Sequence, residues 1–533
     1  MPYNCIFMQQ LPMKNLCLIV IFVATLTTSF AQKKQGIDEA DEFFKLENYL
    51  SAIPIYTKEL KKFTDDSGIR YKLGICYLNS RVNRKLAIQY LEEVSKLPKV
   101  NEEVWIYLGK AYHLEGRINE ALACYKKFTE LKPKRANEVE HYLEQCKNAV
   151  EFMRNPVQVT FTNLGPEINS PEPDYYPYVD KDERMLVFTS RRKENVGGKK
   201  PEADGYRSSD IYTSTSSEGK WTTAQNAGRG VNGGLDEHCL GLSRDGLEMY
   251  MYMDHIETFG DIYVTRRTDA ASSFLRPKVF EGTVNTGIET AACLSEDGTT
   301  LFFVRKDRLK GNTDLFLAKQ LPTGKWAQPL RLPDNINTIY NEDMPYLAYD
   351  GKTLYFTSEG HNSMGGFDIF KTTWDAANNT FSEPINLGFP INTTDDDRSF
   401  CITKNNKYAY VSCFRPSGLG DLDIYRVNFL NEESEAVVFA GRVLFNDSAE
   451  TKNAAYSEMS VSVTNTKTDE EYIYMPHSET GRYVMALPAG NYRLVTYCKG
   501  YTRVKEEFTV SDIGKSNQEI RKDILLKRSK KKE

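Results

Sequence analysis

The spacing of apolar residues changes once, sharply, along this chain. From about Ile37 to Phe152 apolar positions recur at helical intervals and read as helical hairpins. From Pro156 they alternate, in runs rich in Tyr, Val, Ile and Phe, and read as strands. Five apolar strands each follow a turn: Met185 to Thr189, Met249 to Tyr252, Leu301 to Val304, Leu354 to Thr357 and Tyr408 to Val411. Three of the turns are Asp-Gly, at Asp245-Gly246, Asp297-Gly298 and Asp350-Gly351, where Gly accepts the positive φ of a tight hairpin. Next in each copy comes Asp-Ile-Tyr or a variant, at Asp210, Asp261, Asp314, Asp368 and Asp423, about 51–55 residues apart. An outer strand and an Ile/Val-Asn pair close the copy: Ile168-Asn169, Val231-Asn232, Val284-Asn285, Ile336-Asn337 and Ile391-Asn392.

Those pairs are out of phase with the strands. The first precedes any inner strand, and the last Asp-Ile-Tyr has no outer strand after it. A closed ring resolves the mismatch if Val157 to Leu164 supplies the missing outer strand, which leaves no open sheet edge between the ends. The count predicts five blades; six would need a degenerate one.

Several motifs resemble known families. Trp105, Leu108, Gly109, Tyr112, Ala121, Tyr125 and Pro133 match the tetratricopeptide pattern, and Leu73-Gly74, Tyr77, Ala87 and Leu91 resemble an earlier copy. Small residues at Ala40, Gly74 and Gly109 let paired helices approach, and the resemblance implies a peptide-binding concave face or a purely structural stack. Leu354-Tyr355-Phe356-Thr357-Ser358 with Gly366-Phe367-Asp368-Ile369-Phe370 resembles TolB-like, WD-like propeller repeats. Past an acidic linker, Asn431 to Glu435, the segments around Gly441, Val461, Gly481 to Tyr492 and Lys499 to Tyr501 look like a carboxypeptidase-regulatory-like, transthyretin-like sandwich, with Tyr492, Leu494 and Val495 near its core.

The fold class expected is therefore multidomain: an α-helical tetratricopeptide stack over 37–152, an all-β propeller over 156–430, a small β-sandwich over 437–528 and a basic tail over 529–533. This order resembles Bacteroidetes envelope proteins of the OmpA-associated type, including the periplasmic scaffold of the type IX secretion system, without the OmpA-like domain that commonly follows there.

Composition narrows the function. A net charge of −5 with 26% charged residues gives no support to a nucleic-acid partner. Residues 1–31 read as a signal peptide: Lys14, an apolar run from Leu16 to Leu26 too short for a permanent span, and a small-x-small site at Ser29-Phe30-Ala31. Export to the periplasm is the expectation, with outer-membrane association through other proteins and no membrane span. Cys239, Cys293 and Cys401 occupy matching inner strands and are expected as buried free thiols, although disulfides are open to an exported protein.

Candidate chemistry is sparse. An acid stands eight residues before the turn position in every copy: Asp174, Glu237, Glu289, Glu342 and Asp397. Five carboxylates ringing a channel could contact a metal ion or a cationic peptide, or each could accept backbone hydrogen bonds and lock neighbouring blades. The Asp-Ile-Tyr aspartates read as turn caps. Gly219-Lys220-Trp221 and Gly324-Lys325-Trp326 read as hairpin turns with Trp packed at a blade edge, or as sugar-stacking sites. No nucleophile elbow, zinc-hydrolase motif or phosphate-binding loop is found, and the six His are dispersed. No catalytic residue and no cofactor are assigned. The expected function is a non-enzymatic scaffold binding envelope proteins or peptides; the alternative is a glycan-binding or glycan-acting propeller with its site in the channel, over His238 and His361.

Overall fold

The computed structural model describes residues 36–197, 201–217, 220–243, 245–255, 260–280, 282–307, 311–415, 417–430, 436–446, 456–510 and 519–529. The expected signal segment, Gly219, the expected linker Asn431 to Glu435 and the tail from Lys530 lie outside them. The chain divides into two compact units, one reaching to Leu108 and including 203–205, the other formed by the rest from Gly109 onward.

The first unit is helical: α1 (36–45), α2 (Tyr49–Lys62), α3 (Ser67–Asn79), α4 (Arg84–Ser95) and the first half of α5 (Val104–Leu114). Side chains start the helices, Asn48 accepting from Ser51 N–H at 3.0 Å and Asp66 from Ile69 N–H at 3.0 Å. At Gly74 a Cβ would lie 2.6 Å from Leu91 Cγ, so the missing side chain sets how closely α3 and α4 pack.

The second unit continues with α6 (Ile118–Leu131), a 3-10 turn over Pro133–Val139, and α7 (Glu140–Arg154). A Cβ at Gly109 would stand 2.5 Å from the Tyr125 ring, a side chain that is fully buried, as is Ala121. Leu108 and Tyr112 are buried as well, Trp105 is half-buried, and Pro133 opens the 3-10 turn.

Five antiparallel sheets of four principal strands follow. Their inner strands are Asp174–Val179, Glu237–Leu242, Glu289–Leu294, Glu342–Leu347 and Phe400–Ile402; their third strands begin at Asp210, Asp261, Thr313, Asp368 and Asp423. Successive inner strands touch, and the fifth touches the first, which closes a β-propeller. Val159–Asn163 pairs antiparallel with Asp423–Phe429 as the outer strand of the fifth sheet, so the beginning of the β-region completes its end. Three cores fill the spaces between sheets, anchored by buried Phe188 and Tyr410, by Phe302, Phe303 and Phe356, and by Phe161 and Phe400.

The C-terminal region forms two sheets around one core that contains Val461, Val463, Tyr472, Met485, Tyr492 and Leu494. One of these sheets continues the fifth propeller sheet, through the pairing of Phe161 with Glu471. Val495 departs from the expectation: strand neighbours alternate faces, and with Tyr492, Leu494 and Thr496 inward it points away from the core. The eight described cysteines are free thiols, six of them buried.

Candidate functional site

Each Ile/Val-Asn pair exists to hold a strand. Asn232 accepts from Ile211 N–H and donates to Ile211 C=O, both at 2.9 Å. Asn285 clasps Ile262, Asn337 clasps Leu315 and Asn392 clasps Ile369 in the same way, at 2.7–3.0 Å. Asn169 clasps Ile424 across 255 residues, at 2.8 and 3.0 Å, and so fastens the ring. The clasped residue is the Ile or Leu of Asp-Ile-Tyr, which explains why the two motifs recur together.

A second asparagine, not singled out in the sequence, extends three clasps. Asn226 donates to Asp210 at 2.6 Å and accepts from Gly228 N–H and from Asn232, both at 2.8 Å. Asn386 links Asp368 to Asn392, and Asn163 links Asp423 to Asn169, by the same bonds. The signal was an Asn-x-Gly triplet six residues ahead of the clasp. In the third sheet Arg331 holds that place and pairs with Asp314 at 2.8 Å. The Asp-Ile-Tyr aspartates also cap turns: Asp368 accepts from Met364 and Gly365 N–H, and Asp423 from Leu419 and Gly420 N–H.

The five acids are all buried, at 0–2% exposure. Asp174 accepts from Ser170 N–H and hydroxyl, Glu342 from Thr338 N–H and hydroxyl, and Asp397 from Thr393 N–H and hydroxyl. Glu289 accepts from Gly287 N–H and from Arg305 at 2.6 Å, and Arg192 reaches Asp174 at 3.1 Å. Each carboxylate thus bonds to the loop before its own strand. Burial raises the acid pKa values, Glu342 to about 7 and Glu237 to about 8, the latter with Asp210 and Asp236 adding like charge. Among the described residues no three His, Cys, Asp or Glu side chains come together as a metal-holding group.

The residue after each acid belongs to the opposite face of its strand. These five residues are all different: Tyr175, His238, Thr290, Asp343 and Arg398. Four of them are partly exposed, and two groups of side chains gather around His238 and Arg398, with Tyr176 reaching both. In one, the His238 ring lies 5.8 Å from Tyr175, 5.9 Å from Tyr176 and 5.2 Å from Tyr252, on which it stacks. Burial lowers the His238 pKa to about 4, so the imidazole is neutral. In the other, the Arg398 guanidinium sits 4.0 Å over Phe367 and 3.7 Å from Asp396, with Asp343 and Glu359 holding its charge. Tyr176, Met344 and Ser399 adopt left-handed φ of 55°, 47° and 78° beside these positions. Deeper in, Tyr178 of the first sheet and Tyr346 of the fourth meet at 6.3 Å between sheets that are not neighbours.

The other predicted residues are structural in placement. Trp221 packs edge-on to Tyr410 of the fifth sheet, and Trp326 on Phe280 of the second. His361 bonds to Ile336 C=O at 2.9 Å beside Phe356 and Phe370, away from His238. Helix seating was not foreseen: His113 bonds to Met364 C=O at 2.9 Å, Asn148 donates to Ser363 C=O at 2.9 Å, and Gln145 donates to Gly365 C=O.

No protein-family model and no curated protein matches the chain. Among solved structures it is similar to TolB from Acinetobacter baumannii, at 14% identity and a TM-score of 0.28, over 58% of this chain. The chain spans 64% of the length of that TolB. A putative TolB from Agrobacterium tumefaciens aligns at 14% identity and TM-score 0.27, over 51% of this chain and 98% of that one. The catalytic domain of a Coprinopsis cinerea GH62 α-L-arabinofuranosidase aligns at 9% identity and TM-score 0.33, over 51% and 98%.

Proposed function

We propose that this protein is a non-enzymatic scaffold of the periplasm, associated with the outer membrane through the partners it holds. In this reading a tetratricopeptide stack and one face of a five-bladed, TolB-like propeller bind envelope proteins or peptides, and a transthyretin-like sandwich adds a further surface. The observation that carries it is the way three kinds of structure are fastened into one compact unit. The last helices bond to the 363–365 loop of the fourth sheet, and the fifth sheet runs on into the C-terminal region. Joints of this kind tie separate surfaces together, which is what an adaptor needs and what a lone binding module does not. The repeated Asp, Asn and acid residues are spent on holding strands.

Cross-linking the tagged protein in its native envelope, followed by mass spectrometry, tests the proposal. A reproducible set of outer-membrane or lipoprotein partners is the expected result. Recovery of the protein alone, or with glycan only, rules against it. The aromatic patch of Tyr175, Tyr176, Tyr252 and His238 favours one second reading, a glycan-binding propeller, since such rings stack on sugar faces.

A further inference from the structure

The junctions between successive sheets are built alike, from the aspartate of one sheet's third strand and the acid that opens the next inner strand. In three of them an arginine accompanies the acids: Arg192 on Asp174, Arg305 on Glu289 and Arg331 on Asp314. In the fourth, Asp368 takes Met364 N–H, Gly365 N–H and Asn386, while Asp397 takes the Thr393 N–H and hydroxyl. Donors are therefore supplied at four junctions.

The junction of the first and second sheets is unlike the others. Asp210 and Glu237 are 0% and 1% exposed, and among the described residues no lysine or arginine pairs with either. Asp210 Oδ2 accepts from Val196 N–H and Asn226, both at 2.6 Å, but its Oδ1 has no hydrogen-bond partner. Glu237 Oε2 has none, and neither has the Ser208 hydroxyl, on a residue 3% exposed. These three oxygens come from adjoining backbone, and Asp210 lies close enough to Glu237 to act on its charge. Glu237 N–H donates to Ser209 C=O at 3.1 Å, between Ser208 and Asp210. A Cβ on Gly233 would lie 2.9 Å from Glu237 Oε1, and one on Gly197 would collide with Ser208 Oγ while standing 3.7 Å from Gly233 C=O. The absence of a side chain at both positions lets these oxygens pack directly against the backbone, where Glu237 also takes a bond from Gly233.

Buried acceptors without donors are costly, and two carboxylates in one pocket repel. A hard cation removes both costs at once, because such ions take carboxylate, hydroxyl and carbonyl oxygens together. We infer that this junction binds one hard divalent cation, of the calcium type, through Asp210, Glu237 and Ser208 with the Gly233 carbonyl beside them. The ion would fasten the second sheet to the first where the other junctions use arginine or backbone donors.

The test is thermal melting of the full mature protein in a chelator and then in excess Ca2+ or Mg2+, with metal analysis of protein purified without chelator. Either ion at about a hundredfold excess over its Kd should raise Tm by about 5 °C, and the metal analysis should find one ion per chain. Asp210→Asn and Glu237→Gln should abolish the rise, and the milder Ser208→Ala should reduce it if those two fold poorly. Asp368→Asn, at the junction with complete donors, should keep it. An unchanged Tm in both ions with no bound metal overturns the inference, as does a full rise retained by both carboxylate variants.

Discussion

Two sets of positions in the propeller lie five or six residues apart and follow opposite rules. The clasp asparagines are the same residue in all five copies and make the same pair of bonds to a third strand. The residues after the acids, Tyr175, His238, Thr290, Asp343 and Arg398, differ in every copy, and all but Asp343 are partly exposed. A role that each sheet must fulfil repeats with the sheet, because every sheet poses the same geometric problem. A surface that recognises a single ligand has no reason to repeat. Symmetry along the chain therefore marks framework, and its loss marks the place where recognition can occur.

The strongest test of this division is removal of a clasp. Asn392 is fully buried, and Asn392→Ala leaves the Ile369 N–H without its acceptor and the Ile369 C=O with Leu387 N–H alone. The expected loss is about 2–4 kcal/mol, measured by denaturant unfolding. Asn169→Ala should cost as much, since it removes the same two bonds from Ile424, while Leu164 N–H and the pairing of Val159–Asn163 keep the ring closed. Asn285 is half-buried, so Asn285→Ala should cost about half. Equal small losses at all three would mean that the repeated asparagines are incidental.

Next in size is a steric change in the helical part. Gly109→Ala places a methyl group 2.5 Å from Tyr125, which is fully buried and cannot swing away, and should destabilise by about 1–3 kcal/mol. Recovery of stability in Gly109→Ala with Tyr125→Leu would locate the cost in that contact.

The acids make a separate prediction, about pH. Burial holds Glu342 near 7, above its unfolded value, so the folded state binds a proton that the unfolded chain has released. That contribution is complete below the unfolded pKa and is lost as pH rises to about 7. Glu342→Gln keeps an acceptor for Thr338 N–H and turns donors toward the two hydroxyls, so it should flatten this fall between about pH 4 and 7. Melting curves of the variant and the parent across that range would show it, and parallel curves would count against the assignment.

Much of the framework was legible in the sequence, because its parts are local. Asp-Gly turns, alternating strands and Asp-Ile-Tyr act within a few residues, and the phase of the Asn pairs required the ring closure seen in the pairing of Val159–Asn163 with Asp423–Phe429. The acids were found by spacing, but not the direction of their side chains. Register shifts between Tyr175 and Tyr178, and between Asp343 and Tyr346, change the alternation in the inner strands, so sequence phase alone does not say which residue faces the axis. The meeting of Tyr178 with Tyr346 and the bonds from His113 and Asn148 to the 363–364 loop join residues more than 160 apart, for which no local pattern exists.

The smallest expected effect on stability lies at the unrepeated positions, and it sharpens the comparison most. His238 is neutral and partly exposed, and it stacks on Tyr252 with no backbone group among the described residues bonded to its ring. His238→Gln keeps a neutral polar side chain of similar length there and should change unfolding by less than about 1 kcal/mol. If the unrepeated residues form a recognition surface, that substitution and Tyr175→Ser should weaken capture of whatever the envelope cross-linking recovers, or of an oligosaccharide, while Asn285→Ala lowers stability and leaves capture by the folded fraction intact. A variant set in which capture follows stability alone would instead assign recognition to the helices or the C-terminal sheets, and the asymmetry of the inner strands would be drift at positions the fold does not constrain.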